Sequence, residues 1–180
     1  MLLIMSKKHI FLSLIFLISS FVFSQEKLDI FDVARKGTLE QAKEIIKNNP
    51  NASTLLNSDG YSALILASYK GNIEVAKFLI DNGSDINGNS SMGTPLMAAV
   101  VKGNSEIVKL LLEKKADVSI SDPNGTTALI YSSIFKNYNI ASMLVKANAN
   151  PESRDNRGKS AIDYAILAND DKLIEILKTK

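Results

Sequence analysis

Two kinds of apolar pattern divide the chain. Residues 10–23 form one nearly unbroken apolar run, preceded by Lys7 and Lys8 and ending beside the small residues Val22 and Ser24. Beyond it, apolar positions recur at helical spacing and are interrupted at regular intervals by polar, turn-rich stretches. The fourteen residues of the early run fall short of the ~18–20 that a helix needs to cross a bilayer core. With lysines ahead of it and small residues behind, residues 1–24 read as a signal peptide cleaved after Ser24. The competing reading is an uncleaved membrane anchor, because Phe and Ile dominate the run and residues 1–5 are themselves apolar. Either reading places residues 25–180 outside the cytoplasm, periplasmic or secreted.

The later pattern repeats. Ser62-Ala63-Leu64-Ile65-Leu66-Ala67 is matched by Thr94-Pro95-Leu96-Met97-Ala98-Ala99, Thr127-Ala128-Leu129-Ile130-Tyr131-Ser132 and Ser160-Ala161-Ile162-Asp163-Tyr164-Ala165, with starts 32, 33 and 33 residues apart. Nine residues after each start comes a second landmark: Gly71-Asn72, Gly103-Asn104, Lys136-Asn137 and Asn169-Asp170. A fixed period of this size marks stacked helical units, each too small to bury its apolar face alone.

Within a unit, Ser62 or Thr94 suits the cap of a helix start, and Pro95 sits where a missing N–H costs nothing. Gly71 and Gly103 suit the left-handed conformation that closes a short helix. A second helix follows at once. Its apolar stripe takes in Ile73, Ala76, Phe78, Leu79 and Ile80, with equivalents from Ile107 to Leu112 in the next unit. Asp59-Gly60, Met92-Gly93, Asn124-Gly125 and Arg157-Gly158 then mark hairpin-like turns before each next cap.

These units resemble ankyrin repeats, whose Thr-Pro-Leu-His-x-Ala signature is matched best by residues 94–99. The resemblance covers residues 27–180 and implies an all-α solenoid of helix-turn-helix units joined by β-hairpin-like loops. The units fall at 27–57, 58–90, 91–123, 124–156 and 157–180, the first and last being capping repeats. Three departures stand out. The signature histidine is replaced by Ile65, Met97, Ile130 and Asp163, one residue is missing after Gly93, and Lys136 stands in place of a closing glycine. A lysine there is expected to be strained unless Asn137 takes over the left-handed conformation.

The composition, 46% hydrophobic and 22% charged, is that of a folded domain and not a disordered one. Loss of residues 1–24 removes Lys7 and Lys8 from 21 basic residues, leaving 19 against 19 acidic ones. A formally neutral chain lacks the basic excess of a nucleic-acid binder. His9 is the only histidine and lies in the leader, and cysteine is absent. Triads, thiol dyads, disulfides and His/Cys metal sites are therefore excluded, and no cofactor or catalytic residue is expected. Ser62 and Ser160 read as helix caps. Asp59, Asp122 and Asp155 read as turn residues and not as ligands of a hard ion. No Gly-rich phosphate loop occurs.

What the resemblance implies for function is recognition of another protein, with the finger tips and first helices lining a concave side. On this chain the concave positions are Tyr69, Val101, Ile134 and Leu167, joined by Tyr61 and Phe135 and flanked by Lys70 and Lys102. Asp59, Asp122, Arg154, Asp155 and Arg157 form the expected polar rim on the fingers. The bland alternative is that some of the apolar row packs between adjacent first helices. The favoured reading is an exported, non-catalytic, monomeric binding scaffold that acts as immunity partner, inhibitor or helper, with no small-molecule substrate. A membrane-tethered adaptor requires the leader to be retained. A hydrolase using Asp163 and Glu175 is the remote alternative.

Overall fold

The computed structural model describes residues 29–179. The expected signal segment and its cleavage after Ser24 lie outside the described residues. Within them the helices come in pairs: α1 (Ile30–Lys36) with α2 (Leu39–Asn48), then a 3-10 turn (Pro50–Thr54), α3 (Ala63–Lys70) with α4 (Ile73–Asp81), and α5 (Pro95–Lys102) with α6 (Ser105–Glu113). The series continues with α7 (Ala128–Ile134) and α8 (Tyr138–Lys146), then α9 (Ala161–Leu167) and α10 (Asp171–Lys178). Between pairs the chain turns back on itself through single antiparallel bridges, Leu56 with Ser62, Ser90 with Gly93, Ser121 with Thr127 and Arg154 with Ser160. The architecture is an all-helical solenoid with hairpin-like fingers.

Each first helix opens on a side-chain cap. The hydroxyls of Ser62, Thr94, Thr127 and Ser160 accept hydrogen bonds from the backbone N–H three residues on, at 3.2, 3.3, 3.3 and 3.2 Å. These first helices are enclosed on nearly every side, and in α3 the residues from Ala63 through Ser68 are all buried. Consecutive first helices pack directly on one another as well as on their own partners. Alanines at 63, 67, 99, 128, 161 and 165 sit at the contacts with no more than 1% exposure, which lets the axes approach closely. The second helices bury one stripe only: Val75, Ala76 and Leu79, then Ile107, Val108 and Leu111, then Ile140, Ala141 and Leu144. Of the stripe expected in α4, Ile73, Phe78 and Ile80 are only partly buried, and Val75 takes the central place.

Gly71 and Gly103 close α3 and α5 at φ 81° and 70°. At the third junction Lys136 itself adopts φ 51°, and Asn169 does so at 48° in the fourth. Asn137 does not relieve Lys136. It stays at φ −89° because its side chain caps α8, accepting from Ile140 N–H at 3.2 Å. The strain therefore remains on a residue with a Cβ.

The asparagines after Gly71 and Gly103 bond across repeats. Asn72 Nδ2 donates to the carbonyls of Gly37 at 2.9 Å and Val33 at 3.3 Å, and Asn104 Nδ2 donates to those of Ser68 at 2.8 Å and Tyr69 at 3.4 Å. These oxygens belong to the end of the preceding first helix, where carbonyls run short of helical partners, although that of Val33 also accepts from Gly37 N–H at 2.8 Å. Asp170, at the same place in the last unit, cannot donate. There Tyr138 Oη donates to its carboxylate at 3.0 Å.

Two outcomes follow for thermal or urea unfolding. Asn104→Ala lowers stability by about 1–2 kcal/mol, and Asn104→Asp lowers it more, because a carboxylate cannot donate and is repelled by the helix end. Lys136→Gly raises stability by about 1 kcal/mol by removing the left-handed penalty; an unchanged midpoint would show that this backbone is unstrained.

Candidate protein-binding face

The C-terminal ends of the first helices lie at one register in successive repeats. Tyr69 and Val101 are half-buried there, whereas Ile134 is 42% exposed and Leu167 61%. Lys70 and Lys102 are exposed. Both lysines converge on one ring: Lys102 Nζ lies 4.9 Å from the centroid of Tyr69 and Lys70 Nζ 5.9 Å, a cation–π arrangement that spans two repeats. Phe135 is 52% exposed and stacks on Tyr131, centroids 6.3 Å apart and planes 14° from parallel. Tyr61 lies apart from the row on the first finger, packed against the core, with its hydroxyl accepting from Ser91 Oγ at 3.2 Å.

Ile166 was not among the expected residues. The register it occupies is filled by Ser68, Val100 and Ser133 in earlier repeats, at 0%, 1% and 2% exposure, yet Ile166 is 53% exposed. Among the described residues no further first helix follows to cover it. The signal was readable as a large aliphatic residue at a register that otherwise faces the next repeat.

On the fingers, Asp59, Arg154 and Arg157 are exposed as expected. Arg154 Nη1 pairs with Asp163 Oδ2 at 2.8 Å. Asp122 and Asp155 do not join this rim, being only 5% and 8% exposed. Asp122 Oδ1 accepts from the N–H of Asn124 at 2.8 Å and of Thr126 at 2.9 Å, and its Oδ2 accepts from Tyr131 Oη at 2.6 Å. Asp155 repeats the set with the N–H of Arg157 and Lys159, both at 2.9 Å, and Tyr164 Oη at 2.7 Å. In both, the carboxylate folds its own turn and ties it to the following first helix. Burial pushes the Asp122 carboxyl up, but the bonds from Tyr131, Thr126 and Asn124 outweigh it and hold the group below its ordinary 3.8. Asp155 is lowered in the same way, burial being outweighed by Tyr164, Lys159 and Arg157. Burial, then the bond to Asp122, pushes the Tyr131 phenol up to about 12. The spacing Asp122…Tyr131 and Asp155…Tyr164 was visible in the sequence. The first finger has Asn57 and Leu66 at those places, and Asn57 Oδ1 keeps only the two backbone bonds, to Asp59 and Tyr61.

A shallow cavity of about 260 Å³ opens between the third and fourth fingers, lined by Tyr131, Ile134, Asp155, Asn156, Arg157 and Tyr164 among others. Neither Asp163 nor Glu175 lines it. Asp163 is engaged in the capping box of α9, accepting from Ser160 N–H at 2.9 Å, and in the Arg154 pair. Among the described residues no three His, Cys, Asp or Glu side chains gather to hold a metal ion.

The family described as ankyrin repeats (3 copies) matches residues 30–122 and 115–180. The chain belongs to the ankyrin repeat family. It is similar to ankyrin repeat and SAM domain-containing protein 6 of Rattus norvegicus, 39% identical over 79% of this chain and 12% of the relative. It is also similar to an ankyrin repeat-containing protein of Treponema pallidum, 29% identical over 94% of this chain and 56% of the relative. An ankyrin repeat protein of fowlpox virus is 32% identical over 83% of this chain and 27% of its own length. The chain thus spans about an eighth of the rat protein and about half of the bacterial one. Ankyrin repeats are protein–protein interaction scaffolds and are typically non-catalytic.

The Asp–Tyr pairs predict a stability profile with two edges. The carboxyls of Asp122 and Asp155 are lowered on folding, so their contribution is complete above the ordinary 3.8 and is lost as pH falls through the lowered values. Tyr131 runs the opposite way: its contribution is complete below 10 and is lost as pH climbs from 10 toward about 12. Tyr131→Phe costs about 1.5 kcal/mol near neutral pH and flattens the alkaline edge in thermal melts; an alkaline edge as steep as wild type would refute the assignment.

Proposed function

We propose that this ankyrin repeat chain is an exported, non-catalytic scaffold that binds one partner protein through the face made by its first helices and fingers. The observation that carries the reading is the exposed row Ile134, Phe135, Ile166 and Leu167, between 42% and 61% exposed and drawn from adjacent repeats. Scattered apolar residues are ordinary on a surface, whereas a group gathered at the ends of neighbouring first helices is characteristic of a contact site. Tyr69 extends the row with a large ring already ordered by two lysines, so little side-chain freedom remains to be lost on binding.

Support for export comes from the sequence of residues 1–24, with its lysines and short apolar run. A retained leader makes the same scaffold a membrane-tethered adaptor, and N-terminal sequencing of the exported protein distinguishes the two.

The test is affinity capture from envelope and culture fractions of the source cells. Wild type is expected to retain a specific protein, and the Tyr69→Ala, Phe135→Ala variant to lose it by about tenfold or more in affinity while melting normally. Equal capture by wild type and variant would refute the assignment of this face.

A further inference from the structure

The residues that end the first helices change character along the stack. The earlier repeats carry Arg35-Lys36, Tyr69-Lys70 and Val101-Lys102 before the closing residue, whereas the later two carry Ile134-Phe135 and Leu167-Ala168, with Ile166 exposed beside Leu167. Lysine at a helix C-terminus has an ordinary explanation in the helix dipole. That explanation does not bring Lys102 across to the Tyr69 ring of the preceding repeat. Nor does it place apolar side chains at the same register farther along. Of the ion pairs formed among the described residues, only Asp32 with Arg35, at 3.3 Å, involves this row. Lys36, Lys70 and Lys102 pair with no carboxylate among the described residues, while acids such as Glu40, Glu74 and Glu106 lie in the first turns of the second helices. In a chain whose residues from 25 onward are formally neutral, the earlier first helices thus end in lysine, whereas the later ones end in exposed apolar side chains, with Lys136 just beyond Phe135.

Resting on the function proposed above, we propose that this face takes an extended segment of the partner protein that carries an acidic pair and, farther along, a large apolar anchor. The carboxylates sit over Lys70 and Lys102, and the anchor sits over Ile134, Phe135 and Leu167. Charge complementarity fixes the first half, since carboxylates reach ammonium groups that rest on the Tyr69 ring and have no carboxylate partner among the described residues. Geometry fixes the separation. Packed helices lie ~8–10 Å apart and an extended chain advances ~3.3 Å per residue, so each repeat spans about three residues of ligand. The charged and apolar centres are two repeats apart, which sets the acidic pair and the anchor about six residues from one another.

The test is fluorescence anisotropy with labelled peptides in a Gly-Ser background. One carries Glu-Asp about six residues before Leu-Phe, a second has the reverse order, a third has Lys-Arg for Glu-Asp, and a fourth has Ser-Ser for Leu-Phe. One of the first two is expected to bind, about tenfold tighter than the third and fourth, and to weaken with added salt. Lys70→Glu, Lys102→Glu is expected to abolish the preference, and Lys70→Gln, Lys102→Gln to reduce it should charge reversal loosen the helix ends. Three results overturn the proposal: no binding in either order, equal binding of the Lys-Arg peptide, or binding to phosphatidylserine vesicles with none to the peptides. Should a captured protein be lost by Tyr69→Ala, Phe135→Ala yet kept by Lys70→Gln, Lys102→Gln, the binding face stands and its acidic specificity fails.

Discussion

Each first helix carries more apolar surface than its own second helix can cover. In α3 the buried residues run without a break from Ala63 through Ser68, all the way round the helix. Such a helix is stable only with a neighbour on either side. The small side chains at the contacts make that neighbour another first helix, packed close. Everything else is subordinate to this lateral burial. The second helices need one stripe only and can be polar outside, and the fingers need only return the chain to the next cap.

The parts of this fold that sequence made legible are those fixed by one or two adjacent residues. Ser62, Thr94, Thr127 and Ser160 cap helices because a hydroxyl at that place has one obvious acceptor role, and Gly71 and Gly103 close them because a left-handed backbone suits glycine. What sequence left ambiguous depends on partners distant along the chain. An aspartate in a turn is equally at home in water or beneath it, so Asp122 and Asp155 read as rim. The residue that decides the matter is a tyrosine nine positions on, whose phenol draws the second carboxylate oxygen inward. The junction at Lys136, expected to be strained unless Asn137 took over, keeps its strain for a similar reason. Shifting the left-handed residue to Asn137 costs nothing locally, but it removes the cap of α8.

The proposed binding face was legible in its register and not in its exposure. Tyr69, Val101, Ile134 and Leu167 occupy equivalent places, yet the first two are half-buried and the last two are open. The difference lies in the neighbours. Lysine stems from two repeats lie over Tyr69, whereas nothing comparable follows Ile134. Ile166 shows the same dependence more sharply, because the side chain is unremarkable and only the absence of a following first helix among the described residues exposes it.

The asparagine bonds between repeats bear on how such a molecule changes over time. Asn72 and Asn104 grip main-chain carbonyls, so the pitch from one first helix to the next is held by atoms common to every amino acid. Side chains on the open face are free of that duty. Mutation there rewrites what is read and leaves the ruler that reads it unaltered, so the lettering on this surface and the spacing of its lines are inherited separately.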